Sequence, residues 1–286
     1  LISFLRKLGQ YLKNKKEIYL IDSEKHINFF IQSLKDKKIV GIDTEFDWRR
    51  TYFPKLSLLQ IVANRRIFLV DCLKELDLSF LKNTLENDKL VIFHSSRSDS
   101  TALSTNLDIT IKKSFDIQIA EKVLRGGNSK SYASIVRYYY SINLNKSETN
   151  SNWLRRPLSD EQLNYASNDV LFLLDIFKRQ KKELLKKKLY DQVKVSSEKE
   201  TNLGNQSLKS TRLKKQEQKL SKRKKQIFIW REEIAESENV PPSFIFKDKN
   251  LRILSELDPD DKDAKIKIMR IIGDSRLTNL FISDIL

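Results

Sequence analysis

Lys38-Ile-Val-Gly-Ile-Asp-Thr-Glu-Phe46 is the stretch on which the reading of this chain turns. Ile39 to Ile42 is a short unbroken run of apolar and small residues, the pattern of a strand buried on both faces. Along a strand, residues i and i+2 project to the same side. Asp43 and Glu45 therefore stand side by side at the end of a core strand. Two carboxylates placed there repel each other and lose solvation; a bound cation would offset both costs. A strand that simply ends in polar residues at the surface explains the pair equally well, so Asp-x-Glu alone decides nothing.

Outward from this strand, further strand-like runs occur at 18–21, 56–63, 66–71 and 90–94, with an Asn64-Arg65 turn between the second and third. Ser23 reads as the N-cap of an amphipathic helix reaching about Leu34, and another helical stretch lies near 78–86. Beyond residue 96 helices dominate, at 97–105, 116–125, 130–140 and 159–190. Strands first, then strands alternating with helices, predict an α/β fold: a mixed sheet with flanking helices. At the start of the chain Leu1, Leu5, Leu8 and Leu12 share one helical face. A helix over about 1–15 is expected to pack rather than to anchor in a membrane. No apolar run approaches the ~20 residues of a membrane span.

Composition shifts near residue 178. Between Lys178 and Lys225 there are 18 Lys and Arg against five Asp and Glu, so most of the net charge of +16 sits there. Such an excess suits a polyanion, whose counterions are released on binding; an anionic membrane surface is the competing partner. Ser196 to Ser210 is polar and lacks apolar periodicity, so it reads as a linker. Ile227, Phe228, Trp230, Ile234, Phe244, Ile245, Leu251 and Leu254 then restore apolar content, and Pro241-Pro242 breaks the first helix there. The expected organisation is a domain at 1–195, a basic linker at 196–215 and a small helical domain at 216–286.

Cys72 is the only cysteine and His26 and His94 the only histidines, which excludes an internal disulfide and a thiolate-rich zinc site. A metal here must be hard and oxygen-bound, Mg²⁺ or Mn²⁺. Two further acids qualify. Asp169 lies four residues after Tyr165 on the helix marked by Leu163, Val170, Leu171 and Leu174, so phenol and carboxylate share a face. Asp99 falls in the first turn of a helix that follows the strand Val91-Ile-Phe-His94 and a Ser-rich turn, where the helix dipole favours a carboxylate. Each has a plain structural explanation by itself: a half-buried Tyr beside a solvated Asp, and a capping Asp.

The order and context of Asp43, Glu45, Asp99, Tyr165 and Asp169 resemble the DEDD 3′-5′ exonucleases in their Tyr-containing branch. The match extends to Asp43-Thr-Glu-Phe46, Thr51-Tyr-Phe-Pro-Lys-Leu56 and Leu59-Gln60, and to Phe115-Asp-Ile-Gln-Ile-Ala120, in which Ile117 stands where Thr is usual. Leu144-Asn-Lys-Ser-Glu148, Trp153-Leu-Arg-Arg-Pro-Leu-Ser159, Gln162 and Tyr165-Ala-Ser-Asn-Asp-Val170 closely resemble ribonuclease D. The resemblance covers about residues 16–190. Trp230-Arg-Glu-Glu-Ile-Ala235 and Val240-Pro-Pro-Ser-Phe-Ile-Phe246 resemble one helicase-and-RNase-D C-terminal (HRDC) domain.

The resemblance implies an RNase H-like sheet, followed by an HRDC domain, and two divalent cations held by Asp43, Glu45, Asp99 and Asp169. Asp43 would bridge them, Glu45 and Asp169 would complete the site of the water-activating ion, Asp99 would serve the second, and Tyr165 would orient the water. It implies release of nucleoside 5′-monophosphates from the 3′ end of RNA, in transfer-RNA precursors and other small stable RNAs, by a cytoplasmic monomer with no membrane role. Phe46, Tyr52 and Phe53 are candidates for stacking on terminal bases, with core packing the alternative. Lys146, Arg155 and Arg156 are candidates for backbone phosphate, or ordinary solvated charges. His94 and Asp116 read as structural, Asp116 as an N-cap. A DNA exonuclease using the same acids, and a binding protein on a degenerate nuclease fold, are the competing readings.

Overall fold

The computed structural model describes residues 16–286 apart from 87, 88, 146, 217, 219 and 259. The helix expected over 1–15 thus lies outside the described residues. Among those described, six strands form one sheet: β1 (Glu17–Ile21), β2 (Ile39–Asp47), β3 (Lys55–Ala63), β4 (Arg66–Asp71), β5 (Leu90–Phe93) and β6 (Ser114–Asp116), in the order β1-β4-β3-β2-β5-β6. β3 is antiparallel to β2 and β4, whereas β1 with β4, β2 with β5 and β5 with β6 are parallel. The expected mixed sheet is present, with β6 an edge strand that its three residues did not announce.

The sheet is buried on both faces, which is why its strands read as near-continuous apolar runs. Along β3, Leu59 and Ile61 join one core, with Val40 and Ile42 of β2, under α1 (Ile27–Lys35), α2 (Phe80–Glu86) and α3 (Arg97–Leu107). Leu58 and Val62 join the other, beneath α4 (Ile117–Arg125), α5 (Tyr132–Tyr140), α6 (Asp160–Leu171) and α7 (Leu173–Lys186). The single helix expected over 159–190 is thus broken at Phe172. Its backbone N–H donates to the Tyr132 hydroxyl (3.0 Å), and the Leu171 carbonyl accepts from the Lys16 ammonium. Both backbone groups that the break frees are satisfied from elsewhere.

The linker expected at 196–215 is corrected: α8 (Tyr190–Asn205) and α9 (Leu208–Gln216) occupy it. The buried stripe of α8 is Val193, Ser197, Thr201 and Gly204, a helical spacing carried by small and polar side chains. Ser197 Oγ accepts from the Asp116 backbone N–H (2.9 Å), and the hydroxyls of Thr201 and Ser114 are 2.7 Å apart. At Gly204 a Cβ would fall 2.3 Å from the Arg97 carbonyl oxygen, so only glycine permits the approach of α8 to α3.

A second compact unit comprises Gln206–Leu286 together with Trp48–Phe53 from the β2–β3 connection. Its further helices are α10 (Lys222–Ser237), α11 (Pro242–Ile245), α12 (Asn250–Ser255), α13 (Ala264–Ile272) and α14 (Ser275–Ile285). α10 ends before Pro241-Pro242, as expected, and Pro242 opens α11. Tyr52 is fully buried in this unit's core beside Phe228 and Trp230. Its hydroxyl donates to Glu232 (3.0 Å), the Arg212 guanidinium lies 4.7 Å from the ring centroid, and the backbone N–H groups of Tyr52 and Phe53 both donate to Asn239 Oδ1 (3.1 Å). The stacking role expected of Tyr52 is corrected: its ring has no face open to a base. Tyr52→Ala should instead destabilise the helical unit by about 3–5 kcal/mol, read as faster amide hydrogen exchange across 206–286; exchange at the wild-type rate there would refute this.

Candidate active site

The site grows out of β2. Gly41, Asp43 and Glu45 lie on the face covered by α6 and α7. A Cβ at Gly41 would sit 2.6 Å from Val62 Cγ1 and 3.1 Å from Leu173 Cβ, so the missing side chain lets the start of α7 seat directly on the strand. That seating, and the break one residue earlier, set the end of α6 over Asp43. Carboxylate oxygens of Asp43, Glu45 and Asp169 all lie within 4.8 Å of one another. A register shift between Glu45 and Phe46 follows at once; bulges of this kind re-aim side chains beside functional sites.

Asp99 is placed from the opposite side. It is 6% exposed, in the first turn of α3, and accepts a hydrogen bond from the Thr44 hydroxyl (2.6 Å). The turn before it is held by Asp116, whose carboxylate accepts from the backbone N–H groups of Ser95 (3.1 Å), Ser96 (2.9 Å) and Gln118 (2.9 Å). Asp116 is thus the expected N-cap of α4 and also the anchor of the segment that delivers Asp99. Ser95 takes a left-handed φ of 66° in that turn.

α6 begins with a capping box between Ser159 and Gln162 and carries Tyr165 one turn before Asp169. The phenol lies 3.1 Å from the Thr149 hydroxyl. Thr44 and Thr149 were not singled out by the sequence, although Thr149 directly follows the Lys146-Ser147-Glu148 motif. A cavity of about 320 Å³ opens here, lined by Asp43, Asp169, Tyr165, Thr149, Tyr132 and His94 among others.

All four carboxyls are pushed upward. Burial is the largest cause in each case. Asp43 lies well above the usual carboxylate range through burial and the charges of Asp99, Asp169 and Glu45. Burial, then Asp169 and Asp99, raise Glu45 to about 9. Asp99 is raised to about 7 against the opposing Thr44 hydrogen bond, and Asp169 to about 7 against that of Tyr165. Buried, crowded, oxygen-only donors of this kind fit a hard divalent cation, whose charge removes the strain that raises them.

The remaining candidates divide. His94 Nε2 lies 2.9 Å from the Lys130 carbonyl, and burial lowers its pKa. Arg156 is corrected: its Nε and Nη2 donate to Asp71 (2.7 Å each), with further bonds from Nη2 to the Ser57 carbonyl and from Nη1 to the Trp153 carbonyl, so its fork is committed to the fold rather than to phosphate. Arg155 is exposed and Phe46 partly buried. Lys146 lies outside the described residues.

Residues 18–185 match the family model described as 3′-5′ exonuclease, and residues 222–273 that of the HRDC domain. The chain is 37% identical to ribonuclease D of Haemophilus influenzae over 53% of its own length and 38% of that protein. It is 30% identical to ribonuclease D of Desulfotalea psychrophila over 85% of its own length and 68% of that protein. It therefore spans well under half of the first relative and about two thirds of the second. The crystal structure of Escherichia coli RNase D superposes with a TM-score of 0.83 at 20% identity, over 94% of this chain and 74% of the other, which shows a shared fold.

The carboxyl shifts fix a sign. A group whose folded pKa is raised holds its proton in the native state after the unfolded chain has lost it, so stability falls as pH rises through that window. Without metal, the protein should lose thermal stability from the ordinary carboxylate range near pH ~4 up to about 7 for Asp99 and Asp169 and about 9 for Glu45. Asp169→Asn should melt higher than wild type in EDTA at pH ~8, and should lose the stabilisation that Mn²⁺ gives wild type. A variant that melts lower in EDTA and still responds to Mn²⁺ would remove Asp169 from the site.

Proposed function

The chain belongs to the ribonuclease D family of 3′-5′ exonucleases, and on that premise we propose that it hydrolyses RNA from the 3′ end, releasing nucleoside 5′-monophosphates. The observation that carries this is the convergence of Asp43, Glu45 and Asp169 within 4.8 Å, with the Tyr165 phenol one turn from Asp169 at the wall of a cavity. Two divalent cations, Mg²⁺ or Mn²⁺, held by Asp43, Glu45, Asp169 and Asp99, would lower the pKa of water and stabilise the attacking and leaving oxygens of an in-line displacement.

The chain's own residues do the positioning. Asp43 is central, since the charges of all three other acids act on it. Thr44 fixes Asp99, and Thr149 fixes the Tyr165 phenol. Burial raises the pKa of that phenol, so it stays protonated and orients a water by hydrogen bonding instead of acting as a base. The cavity receives the terminal nucleotide. Phe46 and the exposed Arg155 would meet the strand behind it, and the basic stretch 178–225 would draw in the polyanion. Relatives named ribonuclease D and the described role of the E. coli protein, "an exoribonuclease involved in structured RNA processing", support RNA over DNA. Transfer-RNA precursors and other small stable RNAs are the proposed substrates, acted on by a monomer in the cytoplasm. Among the described residues no helix is long and apolar enough to cross a membrane.

A 5′-labelled transfer RNA with a short 3′ extension, incubated with Mg²⁺ beside the matching DNA strand, should give a ladder shortening from the 3′ end on RNA only. Asp43→Ala and Asp169→Ala should abolish the ladder, and Tyr165→Phe should slow it about 10²-fold with metal binding intact. Ladders at the wild-type rate from both alanine variants would sink the assignment. Activity on long RNA should also fall steeply with salt. Neutralising about six phosphates corresponds to a loss on the order of 10³-fold in affinity between about 50 and 200 mM, and a flat response would deny the basic stretch its role.

A further inference from the structure

Gln60 sits at the centre of β3 with no exposed surface, and neither its amide nitrogen nor its amide oxygen has a hydrogen-bond partner. Leaving such a group unsatisfied in a core is costly, and an apolar residue of the same shape would avoid the cost. The neighbours on its own strand face, Leu58 and Val62, are apolar and join the core under α6 and α7. Across the β2–β3 ladder its partner is Asp43, on the same face. Directly opposed residues in an antiparallel pair carry their Cβ atoms ~4.5–5.5 Å apart. A glutamine amide is long enough to reach an opposing carboxylate from there by side-chain rotation alone.

We propose that Gln60 is a positioning residue for the metal centre: its amide N–H donates to the Asp43 carboxylate when that carboxylate engages a divalent cation. The inference rests on the reading of Asp43 as a cation ligand. A ligating carboxylate turns one lone pair to the ion, and its remaining lone pairs need donors that fix its rotation. Thr44 serves Asp99 in this way. For Asp43, Gln60 is the directly opposed side chain, and its donor is uncommitted. The stability cost of that buried amide is then offset when Asp43 engages the cation.

The test uses the full chain with Gln60→Met and Gln60→Leu, two apolar replacements that pack differently. Mn²⁺ affinity is measured by calorimetry and thermal stability by melting in EDTA, with Mg²⁺ titrations of exonuclease rate alongside. Mn²⁺ affinity should weaken about 10–100-fold, and the Mg²⁺ concentration for half-maximal rate should rise in parallel. The metal-free melting temperature should hold or rise, by about 2–4 °C. Unchanged Mn²⁺ affinity in both variants, in a wild-type protein that binds Mn²⁺, would overturn the role of Gln60 and leave the metal centre standing. A metal-free melting temperature that drops in both variants together with affinity would make Gln60 a packing residue and overturn it as well. Wild-type protein that takes up no Mn²⁺ would bring down the metal centre and this role with it.

Discussion

Mutual repulsion among partly and fully buried carboxyls is the constraint around which this fold is organised. Asp43, Glu45, Asp99 and Asp169 are each raised above their ordinary range, by burial first; the charges of Asp99, Asp169 and Glu45 add to this for Asp43, and those of Asp169 and Asp99 for Glu45. A collapsing chain would not gather such groups for stability's sake, because each ionised carboxylate in a poorly solvated place costs several kcal/mol. They are held together by backbone that cannot yield. Asp43 and Glu45 ride on β2, which β3 pairs through both acids and β5 pairs as far as Gly41. Asp99 is tied through Thr44 and the Asp116-anchored turn. Asp169 is fixed by the helix that closes onto Gly41.

The seating of the α6–α7 pair depends on three distant parts of the chain. Gly41 removes the side chain that would hold the helices off the sheet. Tyr132, from α5, takes up the Phe172 N–H released by the break, and Lys16 takes up the Leu171 carbonyl. Burial lowers the Lys16 ammonium to about 8, opposed by the charge of Asp175, so this support weakens in alkaline solution. Asp169 and Tyr165 then inherit their positions from helix geometry alone, four residues apart on one face. The acidic cluster is precisely held because each carboxylate sits on a regular element whose end is pinned.

The strands were legible in the sequence because burial on both faces makes them near-continuous apolar runs, and the acid pairs because i, i+2 on a strand and i, i+4 on a helix share a face. β2, β3 and β4 fall within a residue of the runs read from apolar content and turn residues. What escaped reading has a shared physical cause. α8 looked like a linker because its buried face is Ser197, Thr201 and Gly204, which hydrogen-bond or make room where an apolar stripe would ordinarily pack. β6 is three residues long and pairs on one edge only. Arg156 resembled a phosphate ligand because an arginine fork is chemically the same whether it faces phosphate or Asp71. Residue type specifies what a group can bind; the partner it does bind is a tertiary fact.

Tyr52 carries that lesson furthest. It stands seven residues after Glu45, inside a motif that reads as part of the nuclease, yet its side chain completes the core of the helical unit. Trp48 shares in the arrangement, its indole N–H donating to the Tyr52 carbonyl (2.8 Å), and Asn239 holds the backbone of Tyr52 and Phe53. The helical unit is therefore not an appendage joined only where residue 206 begins it. Its core includes a segment whose two ends run straight into β2 and β3, the strands that carry Asp43, Glu45 and Gln60. Cutting the chain at 205 would strip Trp48, Tyr52 and Phe53 of their packing and expose an aromatic loop three residues from Glu45. A domain boundary drawn as one point on the sequence misplaces the physical unit, and the motif's aromatic residues, read as a surface for bases, serve to close a core.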